Sequence, residues 1–291
     1  MSKLDNIHFK WRKIGSVSPE DLVISRRELH HAVQLVAAAG KYLVPERADD
    51  SHTSMHWDDN INALFGETIG ERHPIQIGIR LEDLKLLIKS EGKSNLIEFS
   101  LPGETLPSAL SWMKDQISAA GINVSNLSLK MHYDIPHHPV AVGKTFKKEI
   151  PENYQELSIY FDNANNVLHA LVDRISNASR VRCWPHHFDI ATLITFDKGK
   201  SSEEACSIGA GLSTGDEDYN QPYFYITPWP YPDLNTTILP ELSAGRWYTE
   251  GWVGVVLPAL DISTGENQKQ IVIDFILSGI DACTKILGVS L

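Results

Sequence analysis

Ile75, Ile77, Ile79 and Leu81 alternate with polar neighbours, and two further strand-like runs, 84–90 and 95–101, flank the turn-like Glu91-Gly92-Lys93-Ser94. A period of two marks a sheet with one wet face, and two such runs around a short polar stretch mark a hairpin. Strands that follow one another without a helix between them pair as antiparallel neighbours instead of forming a doubly wound parallel sheet. This run therefore restricts the fold more than any other feature of the 291 residues.

The helices predicted around it are few. Ser18-Pro19-Glu20-Asp21 is a helix start, with a Ser cap and Pro in the first turn. The helix then runs to about Gly40, with Leu22, Leu29, Val33 and Val36 on one stripe and His30-His31 on its wet flank. A second helix spans about 104–120 (Leu106, Leu110, Met113, Ile117) and stops at Gly121, where a left-handed cap is expected. Leu157, Phe161, Ala164, Leu168, Leu171 and Ile175 give the clearest amphipathic helix. A terminal helix carries Val272, Ile276, Ile280, Cys283 and Leu287. Segments 126–135, 181–196, 205–212, 221–229 and 246–257 read as strands, and 45–60 as a polar loop leading into an extended segment. The expected fold is α+β, with largely antiparallel sheet and about four helices packed on it. It forms a single compact unit over 1–291, with a soft lobe boundary near 136–152, where three prolines and two lysine groups concentrate.

Composition narrows the partners. Lys plus Arg number 26 against 37 Asp plus Glu, a net charge of -11, and the only basic knot is Lys144, Lys147 and Lys148. Nucleic acid is not an expected partner, because its binders carry a basic face. No apolar run is long enough for a membrane span and no signal-peptide pattern opens the chain. Cys183, Cys206 and Cys283 are far apart and form no C-x-x-C pair. They read as reduced thiols of a cytoplasmic protein.

Candidate chemistry concentrates in three segments. In Arg182–Phe196, an extended chain through 184–196 puts His187 and Asp189 on one face and His186 and Phe188 on the other. An imidazole and a carboxylate two apart suit a general base and its orienter. They also suit two ligands of a divalent ion, for which His56, Asp58, Asp216 and Glu217 are the further candidates. The structural alternative is a histidine bonded to a carbonyl at the Trp-Pro bend. In the second segment, Gly209-x-Gly211-x-x-x-Gly215 does not fit the dinucleotide fingerprint, and its glycines fit a bend or bulge. Beyond it Tyr223, Tyr225 and Trp229 share one face of a strand, an aromatic platform for a flat or sugar-like ligand. A two-sided core layer is the alternative. In the third, Arg246, Tyr248, Glu250 and Trp252 fall on one face. Arg246 and Glu250 either pair or line a cleft, and Glu250 beside Trp252 is a candidate for a raised pKa. Ser111-x-x-Lys114 lacks its companion motifs. Pro-His-His occurs at 136–138 and at 185–187, too short to count as a repeat.

Three segments together, "WPHHFDIATLITF", "SIGAGLSTGDEDYNQPYFYITPWPYP" and "WYTEGWVGVVLPALDI", resemble a family of uncharacterised bacterial proteins known only as a domain of unknown function. The hairpin, helix and strand of 75–132 are similar in order. The resemblance implies no activity and no catalytic residue.

The expected function is a small-ligand binding protein or an enzyme of unassigned chemistry. His187 is its base, Asp189 the orienter and Arg246 the anchor for an anionic group. Glu250 is a further catalytic candidate, and His186, Tyr223, Tyr225, Trp229 and Trp252 line the cleft. The competing readings are a non-catalytic protein that self-associates or binds a partner through its aromatic surface, and a divalent-metal-dependent hydrolase using His187 and Asp189. The sequence specifies no cofactor and no oligomeric state.

Overall fold

A computed structural model describes residues 8–92, 96–197 and 204–291. The fold is α+β, with four long helices and one short one among those residues, and the strand pairs described below are all antiparallel. The chain forms two compact units. The first holds Leu22–Ser158 and Arg182–Phe188; the second holds the chain up to Asp21, Ile159–Val181 and Asp189–Leu291. The chain thus passes between units at four points. The Pro- and Lys-rich stretch 136–152, expected as the boundary, lies inside the first unit.

In the first unit, α1 (Val23–Leu43) follows a 3-10 turn at Pro19–Leu22. Next come β1 (Met55–Asp58), β2 (Ala63–Gly66), β3 (Ile75–Arg80), β4 (Lys85–Ser90) and β5 (Leu96–Ser100). They are followed by α2 (Leu106–Ala119), whose Thr105 cap and Ser108 satisfy each other's backbone N–H groups. The expected hairpin of 84–90 with 95–101 is β4 and β5, pairing Leu87 with Glu98, while β3 pairs with β4 through Ile77 and Ile88; Lys93, Ser94 and Asn95, between β4 and β5, lie outside the described residues. α1 packs on β2 and β3. α3 (Pro151–Val172) begins in this unit and ends in the other. β6 (Arg182–Trp184) pairs with β1 through Met55 and Cys183, so the strand order is β6-β1-β2-β3-β4-β5.

Two expectations fail here for physical reasons. α1 is buried on nearly every side, His30 and His31 included, so those histidines need internal partners and do not sit on a wet flank. Segment 126–135 forms no strand. One of its carbonyls, that of Lys130, accepts from two side chains of α1, Lys41 Nζ (2.9 Å) and the Tyr42 hydroxyl (2.8 Å).

The second unit contains β7 (Asp189–Thr195), β8 (Ser207–Ser213), β9 (Tyr223–Trp229), β10 (Arg246–Tyr248), β11 (Gly254–Pro258), the short α4 (Ala259–Ser263) and α5 (Gln268–Leu287). The strands lie in the order β10-β11-β9-β8-β7. Phe224, Ile226, Leu212 and Ile208 are buried on one face. α5 packs on β8, β9 and β11, with Gly279 so close that a Cβ there would meet Ile226 Cδ1 at 2.6 Å.

Candidate functional site

The stretch 182–196 is not one strand. Pro185–Phe188 turns between β6 and β7, with the Phe188 N–H donating to the Trp184 carbonyl (2.8 Å) and Phe188 itself in the left-handed region (φ +53°). The alternation that put His187 and Asp189 on one face is therefore lost. His186 and His187 belong to the first unit and Asp189 to the second.

Within the first unit the turn is fixed from α1. His30 Nε2 lies 2.8 Å from the Pro185 carbonyl, and the Gln34 amide donates to the same oxygen at 2.9 Å. The His30 ring stacks on Phe188 (5.5 Å, 21°). His31, one residue on, meets the Pro136 carbonyl (3.0 Å). Each Pro-His-His stretch is thus held by one of two adjacent histidines, through the carbonyl of its proline. Tyr133 joins the same network by donating to Gln34 Oε1 (2.8 Å).

These contacts hold a row of rings together. His132 and Tyr133 are 5.0 Å apart, Tyr133 and His186 5.7 Å, and His186 and His187 4.4 Å. Beside them His132 Nε2 lies 2.6 Å from Asp50 Oδ2. Asp50 is held at φ +60°, a conformation that costs a non-glycine residue energy and persists where surrounding structure imposes it. The next residues pack hard against α1: a Cβ at Gly40 would run into the His52 carbonyl and stand 3.0 Å from Thr53 Cα. Only glycine lets this loop approach the helix so closely.

Burial sets the protonation of the row. It lowers the His186 pKa to about 4, with His187 adding to the effect, and lowers His30 to about 4 as well. Both rings are neutral at pH 7. Burial raises the Tyr133 phenol well above its ordinary value, so it stays a donor. His187 and His132 are exposed, while His186, Tyr133 and Asp50 are half-buried. Two accessible imidazoles, one oriented by a carboxylate, thus sit beside a neutral third.

The remaining predicted residues lie in the second unit. Asp189 is buried and accepts from the Tyr225 hydroxyl (2.5 Å). The Tyr225 ring lies over β8, where a Cβ at Gly211 would meet its hydroxyl oxygen at 2.6 Å. Gly211 thus clears a floor for the ring, while a Cβ at Gly209 would meet Thr227 Cγ2 at 3.1 Å. Tyr223, Tyr225 and Trp229 do share a face of β9, since they alternate with the buried Phe224 and Ile226, but the exposure is graded. Tyr223 is buried and donates to Asp216 Oδ2 (2.5 Å), Tyr225 is half-buried, and Trp229 is exposed.

Arg246 does not pair with Glu250. β10 ends at Tyr248, and Glu250 and Trp252 stand in the bend that follows. Arg246 is exposed and bound to Asp261 (2.9 Å), so the anion anchor expected there already holds a carboxylate. Glu250 is exposed, so the desolvation expected from Trp252 is not met. Trp252 packs its ring on Tyr248 (4.9 Å).

No protein-family model, no curated protein and no solved structure matches this chain.

Among the described residues no three His, Cys, Asp or Glu side chains stand together as a metal site. His56 and Asp58, considered as ligands, lie on β1, where Asp58 binds Lys89 (2.9 Å). Asp216 receives Tyr223, and Glu217 is exposed in the turn before β9. Nor does any described helix reach the length and apolarity needed to cross a membrane. Asp50, His132 and Tyr133 escaped sequence reasoning because they lie in irregular chain, where the strand-like alternation of 126–135 does not report a side chain's direction. The one available signal was the doubled Pro-His-His.

Proposed function

We propose that this protein acts on a small polar ligand by general acid–base chemistry, in the first unit, with His132 as the base and Asp50 as its orienter. The observation that carries this reading is the 2.6 Å contact between His132 Nε2 and Asp50 Oδ2. A carboxylate on one ring nitrogen fixes the tautomer and makes the other nitrogen the proton acceptor. His187 is the second accessible imidazole, and His186, neutral at pH 7, offers a hydrogen bond without charge. This reading keeps His187 among the site residues and gives the carboxylate role to Asp50.

Hydrolysis of p-nitrophenyl acetate tests the reading, because an accessible imidazole activated by a carboxylate accelerates it, as nucleophile or as base. The expected result is a rate per histidine above that of free imidazole, lowered at least about tenfold by Asp50→Asn and by His132→Asn. Folded variants that retain the parent rate would refute it.

A non-catalytic, partner-binding reading has its own support in the second unit. Trp229, Tyr231, Leu234 and Ile238 are all exposed within ten residues, Ile238 by 93%. Such a run of apolar side chains suits association. A chain that stays monomeric at high concentration would count against self-association.

A further inference from the structure

In the second unit a hollow of about 390 Å³ opens between the turn before β9 and the bend after β10, lined by Asp218, Tyr219, Trp247, Tyr248, Thr249 and Glu250. Three rings stand in succession there: Tyr219 and Tyr248 are 5.7 Å apart at 61°, and Tyr248 and Trp252 are 4.9 Å apart at 42°. The Tyr248 hydroxyl donates to Asp218 Oδ2 (2.8 Å). That bond, with the charge of Glu250 nearby, pushes the Tyr248 phenol up to about 12. Both charged lining residues are carboxylates.

We infer that this hollow is a binding site for a small organic cation of the alkylammonium class, held between the tyrosine rings and the carboxylates of Asp218 and Glu250. The argument is one of chemistry matched to lining. An aromatic face attracts a cation through its quadrupole, and Tyr219 already does so for the Arg246 guanidinium, whose carbon lies 5.9 Å from the ring centre. A methylated ammonium is weakly hydrated and apolar at its rim, so it gains from rings and needs no directed donors. An anion would meet two like charges in the lining. The net charge of -11 favours approach of a cation. The proposal is independent of the acid–base site in the first unit.

The test is a titration of the full chain with tetramethylammonium, followed by tryptophan fluorescence and by calorimetry, with neopentyl alcohol as the uncharged match in shape and glucose as the polyol control. Saturable binding of tetramethylammonium, at least about fivefold tighter than of the alcohol, is expected. Glu250→Gln and Tyr248→Leu should each weaken it roughly three- to fivefold, and added salt should weaken it further. Tyr219→Leu provides a second ring deletion should Tyr248→Leu fail to fold. His132→Asn should leave it unchanged, which separates this site from the acid–base site. Equal binding of ion and alcohol, preferential binding of glucose, or variants that bind as the parent does would each overturn the inference.

Discussion

The imidazole of His30 and the carbonyl of Pro185, 155 residues apart in the chain, meet at 2.8 Å inside the first unit, where Gln34 donates to the same oxygen. The turn that carries His186 and His187 is thus held by the central helix of that unit, and its position depends on a buried neutral histidine.

His30→Ala should therefore destabilise the protein by about 2–4 kcal/mol. It removes a buried ring stacked on Phe188 and leaves the Pro185 carbonyl with one donor fewer. His187→Ala, at an exposed position, should cost less than about 0.5 kcal/mol. Urea denaturation of the two variants checks the contrast. Equal losses would mean that the turn is not held through His30.

Stability should fall as pH drops from 6.5 to 4. His30 and His186 have folded-state pKa values of about 4, below their ordinary 6.5. In that window the unfolded chain binds protons that the folded chain does not, so stability rises with pH. The contribution is complete above about 6.5 and lost on the way down to 4. For the buried His30 it amounts to about 3 kcal/mol. Denaturation midpoints measured every half unit check it, and His30→Phe should flatten the slope. A flat profile in the parent would sink the assignment.

Gly40→Ala should destabilise although alanine is the better helix former by about 1 kcal/mol. The added methyl meets the His52 carbonyl, which is backbone and cannot turn aside. An overpacking cost of about 1–3 kcal/mol is expected to win, and the Asp50 loop to shift with it. A raised Tm would show that the loop does not lie where the structure has it.

Gly211→Ala should cost about 1–3 kcal/mol, because its methyl would stand 2.6 Å from the Tyr225 hydroxyl oxygen and 2.7 Å from the Ile190 carbonyl. In a Tyr225→Ala background the cost should shrink without vanishing, since the Ile190 carbonyl remains. A double-mutant cycle with no coupling would remove the ring from that strand.

Much of the fold was legible because periodicity reports burial. The alternation at Ile75–Leu81 became β3 and the 157–175 stripe became α3, since a repeating environment leaves a repeating residue pattern. The reading failed where backbone groups bond outside a ladder. Residues 126–135 alternate like a strand, yet pair with none, and the Lys130 carbonyl goes to side chains of α1. Residues 181–196 contain a turn at Pro185–Phe188 that their apolar content concealed.

By itself, then, the chain determined its long helices, the strands of its clearest alternation, its antiparallel character and the shared face of Tyr223, Tyr225 and Trp229, because each follows from spacing along a strand or helix. Only the tertiary structure decided which carboxylate meets which imidazole. Asp50 and His132 are 82 positions apart in irregular chain, and contacts of that kind depend on how loops are anchored to α1, at His30, His31 and Gly40. Asp189 accepts from Tyr225 of β9, and the turn at Pro185–Phe188 ahead of it breaks the alternation that the sequence suggested.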